Sequence, residues 1–80
     1  MATLINTAGE FIANYPAQTL EELQKAVGGY IETVRIYPDL IMVVNEEGIF
    51  LELPLNIEAS KIAKQPILGD VLLMNEEEME

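Results

Sequence analysis

Leu40-Ile41-Met42-Val43-Val44 is the segment that most narrows what this chain can become. A strand with one face in water would alternate apolar and polar residues; this run is apolar on both faces and rich in β-branched side chains, as in a strand inside a sheet. Any fold that contains it must therefore supply apolar cover on two sides. Pro38-Asp39 turns the chain before it, and Asn45-Glu46-Glu47-Gly48 turns it after, with Gly48 suited to the positive φ of a hairpin loop. Ile49-Phe50-Leu51-Glu52-Leu53 then reads as a returning strand, so residues 40–53 form a predicted hairpin.

The remaining elements follow from local signals. Ala2-Thr3-Leu4-Ile5-Asn6 and Phe11-Ile12-Ala13-Asn14-Tyr15 flank a turn containing Gly9, a second predicted hairpin that Pro16 ends. Thr19 with Glu22 three residues on is a capping box, Leu20, Leu23 and Val27 share one face, and Gly28 is a left-handed stop, which predicts a helix over 20–27. Tyr30-Ile31-Glu32-Thr33-Val34-Arg35-Ile36-Tyr37 is a strand by its β-branched and aromatic content, with Ile31, Thr33, Arg35 and Tyr37 on one face and Tyr30, Glu32, Val34 and Ile36 on the other. Asn56 is a good N-cap for a helix over 57–64 that Gln65-Pro66 stops. Val71-Leu72-Leu73-Met74 is the last strand. The order β-β-α-β-β-β-α-β gives an α+β fold with a small mixed sheet and two short helices. Its hairpin-helix-strand opening is compatible with a β-grasp-like topology. Eighty residues hold one such core, burying roughly 60% of the unfolded surface. The domain is read as 1–74. Residues 75–80, with 4 of the 14 acids, read as a disordered acidic tail.

Composition excludes several functions. Fourteen acids against 4 bases leave a formal charge of −10, or −6 for residues 1–74. That opposes direct nucleic-acid binding and adhesion to an anionic membrane, both of which need clustered Lys and Arg. There is no Cys and no His, so disulfides, zinc sites of the Cys/His type and the usual neutral-pH general base are absent. Apolar runs of four or five residues are too short to span a bilayer, and no signal-peptide pattern opens the chain. Ser60 is the sole serine and lies mid-helix; Glu46-Glu47 lacks calcium-loop spacing. The expectation is a non-enzyme with no cofactor and no metal.

Five residues stand out as candidates for contact with a ligand or partner. Glu32 places a carboxylate on the face of Tyr30, Val34 and Ile36, where it must pair, reach water or serve a cleft. Arg35, the only guanidinium, is the natural anchor for an anion or a partner carboxylate. Tyr30 adjoins Glu32. Asn45 and Asn56 are polar residues at element boundaries, each with a competing structural role as a turn or helix cap.

Taken together, the string from Leu20 to Glu32, with its Gly28-Gly29-Tyr30-Ile31-Glu32 end, Val44-Asn45-Glu46-Glu47-Gly48, Leu53-Pro54-Leu55-Asn56 and Ile67-Leu68-Gly69-Asp70-Val71-Leu72 resemble a family of small phage and mobile-element proteins catalogued as a domain of unknown function, DUF3846. The resemblance covers about residues 1–74 and leaves the tail outside. It implies a phage or prophage origin and a product in the cytoplasm of the bacterial host, and it brings no activity or ligand. The expected function is stoichiometric inhibition of a host component, with a defence system as the setting, through binding of a protein or sequestration of a small nucleotide-like signal. An acidic DNA mimic and a structural component of the phage are the alternatives. Because residues 40–44 need cover on both faces, a homo-oligomer is also expected.

Overall fold

The protein is described here from a computed structural model, over residues 2–78. Ala2–Ile5 (β1) and Phe11–Tyr15 (β2) form the first hairpin, Leu20–Val27 is α1, Ile31–Tyr37 (β3) and Leu40–Asn45 (β4) form the second hairpin, Ile57–Ala63 is α2 and Val71–Asn75 is β5. A 3-10 turn over Glu76–Glu78 follows. The strands make one sheet in the order β2-β1-β5-β4-β3. Every neighbouring pair is antiparallel.

The α+β class and the placing of the two helices among the strands are those read from the sequence. Two details differ. The sheet is antiparallel throughout rather than mixed, so the β-grasp-like arrangement, which needs a parallel pair at its centre, does not form. Residues 49–53 are not a strand: β3 and β5 occupy both edges of β4, and a returning segment has no backbone left to pair with. Residues 47–51 instead make one helical turn. The Leu51 N–H donates to the Glu47 carbonyl at 2.8 Å, and the Leu53 and Glu52 N–H groups donate back to Gly48 and Ile49 at 3.0 and 3.1 Å. With Glu52 left-handed at φ 55, this is the hydrogen-bond pattern of a Schellman closure.

The two helices cover opposite faces. Leu23 and Val27 of α1 pack with Leu4, Ile41, Val43, Leu72 and Met74, while Ala59 of α2 packs with Ile5, Met42, Val44, Ile67 and Val71. Each Leu, Val, Ile or Met side chain among these contributes about 1.5–3 kcal/mol when removed from water, and this packing is what holds two helices of only eight and seven residues that would melt in isolation. β4 therefore finds its cover within one chain, and the premise that a second copy must supply it does not hold. The local helix signals are as read: Thr19 Oγ1 accepts from the Glu22 N–H, Glu22 Oε1 accepts from the Thr19 N–H, and Gly28 stops α1 at φ 85. Leu20, read as part of the buried face, sits at the first helical position and is exposed; Ala17 is buried in the cluster beneath α1 instead.

Residues 75–78, read as part of the tail, carry the end of β5 and the 3-10 turn. Asn75 is the last residue of β5, and the Glu76 N–H donates to the Asp39 carbonyl at 2.8 Å. Met79 and Glu80 lie outside the described residues.

Candidate functional site

The ends of β1, β3's start, β4's end and the start of β5 meet at one end of the sheet, since Ile5 pairs with Val71 and Ile31 with Asn45. The 46–56 segment lies across this end and is fastened by two buried amides. Asn45 Nδ2 donates to the Val27 carbonyl at 3.0 Å, and its Oδ1 accepts from the Glu47 N–H at 2.7 Å. Asn56 is fully buried (0% exposed). Its Nδ2 donates to the carbonyls of Ile5 and Gly69, both at 2.9 Å, and its Oδ1 accepts from the Ala59 N–H at 3.1 Å. The Ser60 hydroxyl donates to the Asn56 carbonyl at 2.7 Å and accepts from the Ile67 N–H at 2.9 Å, so the one serine is a fastening of the same end. Two glycines let the segments close up: a Cβ on Gly69, at φ 82, would stand 2.8 Å from Leu53 Cδ1, and one on Gly48 would stand 3.1 Å from Leu68 Cβ.

On this base the turn at 47–52 presents Ile49 and Phe50 to solvent, 85% and 82% exposed. Beside it, on the α2 face, is a cleft of about 210 Å³. Val34, Val44, Pro66 and Ile67 form apolar wall, and Glu32 and Glu46 supply its carboxylates. The β3–β4 register places Glu32 opposite Val44, and the Glu46 N–H donates to the Tyr30 carbonyl at 2.8 Å, so the two acids are diagonal neighbours across the pair. Among the described residues, neither carboxylate has an ion-pair or hydrogen-bond partner. A second cleft, about 340 Å³, opens on the α1 side between Lys25 and Asp70; Asp70 Oδ1 accepts from the Thr7 N–H at 3.1 Å.

The five sequence candidates separate accordingly. Glu32 lines the first cleft. Asn45 lines it too, but its amide is engaged by the backbone, and Asn56 is wholly structural and lines neither cleft. Tyr30 is exposed, outside the cleft lining. Arg35 is turned to the opposite end of the molecule, where its guanidinium grips both oxygens of Glu76 at 2.9 and 2.7 Å and donates to the Pro38 carbonyl. The hydrogen bonds and then the charge of Arg35 hold the Glu76 carboxyl below its ordinary 4.5. Ile49 and Phe50 were read as strand residues and missed as surface. Among the described residues, no three His, Cys, Asp or Glu side chains gather as a metal site would require.

A five-stranded antiparallel sheet with one short helix on each face, and a fastened apolar turn at one end, defines the molecule as a small α+β protein. The chain belongs to the family described as Domain of unknown function (DUF3846), which it matches over residues 2–80, so the match runs through the acidic segment as well. No curated protein and no solved structure matches it. No described helix is long and apolar enough to cross a membrane.

Proposed function

We propose that this chain is a non-catalytic binding protein that captures a protein partner stoichiometrically, with the turn at Ile49-Phe50 and the adjoining cleft as its contact surface. The setting is the one the family resemblance implies: a phage or mobile-element product in the cytoplasm of the bacterial host, acting on a host component, with a defence system as target. The observation that carries the reading is the exposure of Ile49 and Phe50, at 85% and 82%, on a turn whose base is fixed by fully satisfied buried amides. A turn whose backbone is already fastened loses little backbone entropy on docking, and large apolar anchors dominate protein interfaces.

A protein partner fits better than a small nucleotide-like signal. Drug-sized ligands occupy clefts of about 300–1,000 Å³; the cleft beside the turn is about 210 Å³ and its charged groups are both carboxylates, while the α1-side cleft, about 340 Å³, sets Asp70 beside Lys25, its one cation. Arg35, on which anion capture would depend, is engaged by Glu76. A DNA mimic would display carboxylates without an apolar tip among them. Homo-oligomerisation through the turn would set Glu46, Glu47 and Glu52 of two copies against each other and ranks second.

The test is capture from bacterial lysate by the immobilised protein and by the variant carrying Ile49→Ser and Phe50→Ser. Both side chains are exposed, so the variant should melt with the parent. A host protein retained in near-equal molar amount by the parent and lost with the variant is the expected result. Equal retention by both, or no retained protein, overturns the reading. Light scattering on both settles whether the parent exceeds 8.9 kDa and whether the turn is the cause.

A further inference from the structure

The cleft beside the turn has a chemistry of its own. Its apolar wall is built by Val34 and Val44 from the β3–β4 pair and by Pro66 and Ile67 from the chain after α2; its charged groups are Glu32 and Glu46, and no lysine or arginine lines it. Both carboxylates line the cleft and no cation lines it with them. An anion would be repelled by both. A neutral apolar group would displace water from both carboxylates without replacing its hydrogen bonds. What suits apolar wall and paired carboxylates together is a cation on an aliphatic stem, which buries its methylenes and keeps its charged head against the acids. The space, about 210 Å³, is that of a single long side chain.

We propose that this cleft receives a lysine or arginine side chain of the protein partner, with Glu32 and Glu46 meeting the charged head and Val34, Val44, Pro66 and Ile67 flanking the stem. The inference rests on the reading of the chain as a protein-binding module and adds the partner's chemistry: a basic residue set beside an apolar pocket that takes Ile49 and Phe50. The acids Glu47 and Glu52, on the same turn, extend the complementarity to a basic surface, and the chain's charge of −10 steers such a partner in.

The cleft is tested by titrating the isotope-labelled full chain with three blocked tripeptides that differ only in a central arginine, lysine or norleucine, followed by amide chemical shifts. The arginine and lysine peptides should saturate the signals of Glu32, Val44, Glu46 and Ile67. The norleucine peptide should not, and Glu32→Gln with Glu46→Gln should weaken the basic peptides by about tenfold or more without lowering the melting temperature. A purely structural role for these acids predicts the reverse, a lower melting temperature with peptide response intact. No saturable response, or an equal response to norleucine, overturns the proposal. So does tighter saturation by free spermidine than by either basic peptide, which would make the ligand a small polyamine. The lysate partner, if retained, should be released by the double Gln variant as well. Retention by that variant together with loss by the Ile49→Ser, Phe50→Ser variant overturns the cleft assignment while leaving the protein-binding reading standing.

Discussion

The two ends of the sheet are held together by opposite means. At the end that carries the apolar turn, Asn45 and Asn56 sit inside the protein and tie five backbone groups, from residues as distant as Ile5 and Gly69. At the other end, Arg35 and Glu76 close the Pro38-Asp39 turn onto the acidic segment in full view of solvent, with side chains 53% and 52% exposed. A buried hydrogen bond contributes modestly when made, but its loss leaves a desolvated group without a partner. An exposed ion pair is screened and exchanges readily with water. The end that must hold Ile49 and Phe50 in place is therefore the one built from interactions that are expensive to break.

The sharpest way to break this contrast is Asn56→Asp. The substitution keeps the shape and the acceptor for the Ala59 N–H, but it replaces the amide donor with an oxygen facing the carbonyls of Ile5 and Gly69. An uncompensated buried charge costs on the order of 3–5 kcal/mol. Denaturant melts at neutral pH should show a loss of that size, shrinking in acid as the carboxyl is protonated and regains a donor. A loss that does not depend on pH would mean that the amide's donors do not fasten this end.

Asn56 also marks how far the sequence could be read. Its capping of α2 was legible, because the cap and the Ala59 N–H are three residues apart. Its grip on Ile5 and Gly69 was not, because those carbonyls lie 51 and 13 residues away. The same distinction separates the Thr19–Glu22 box, visible in a four-residue window, from the Arg35–Glu76 pair, whose partners are 41 residues apart. Residues 49–53 carry the composition of a strand, yet whether they pair depends on a free edge beside β4, and the sheet order that removes it is not a local property. Glu32 was placed on the correct face by alternation. Its meeting with Glu46 depends on the β3–β4 register, which a bulge between Arg35 and Tyr37 shifts by one residue.

A second substitution sharpens the contrast by strengthening the first end. Glu52 closes the turn with φ 55, a left-handed conformation that costs a side chain. Glu52→Gly removes that strain and adds unfolded-state entropy. The net gain should be about 0.5–1 kcal/mol, seen as a raised denaturant midpoint with unchanged slope. A lower midpoint would show that the Glu52 side chain contributes to the fold more than its backbone costs it.

The smallest effect belongs to the other end, and its sign in pH is fixed. The Glu76 carboxyl is held below its ordinary 4.5 by the hydrogen bonds and then the charge of Arg35. A carboxylate whose folded value is depressed contributes stability that is fully present above its unfolded value and is lost as pH falls through the folded one. Glu76→Gln should therefore lower the melting temperature slightly at neutral pH. The difference from the parent should begin to close below 4.5 and vanish in stronger acid, where both chains lack the charge. Concentrated salt at neutral pH should narrow it too, because both side chains are about half exposed. Through all of this Ile49 and Phe50, at the opposite end, should keep their partner capture. A variant at Glu76 that abolished capture while the protein stayed folded would show that the two ends are coupled, and that the acidic segment belongs to the contact surface rather than to the frame.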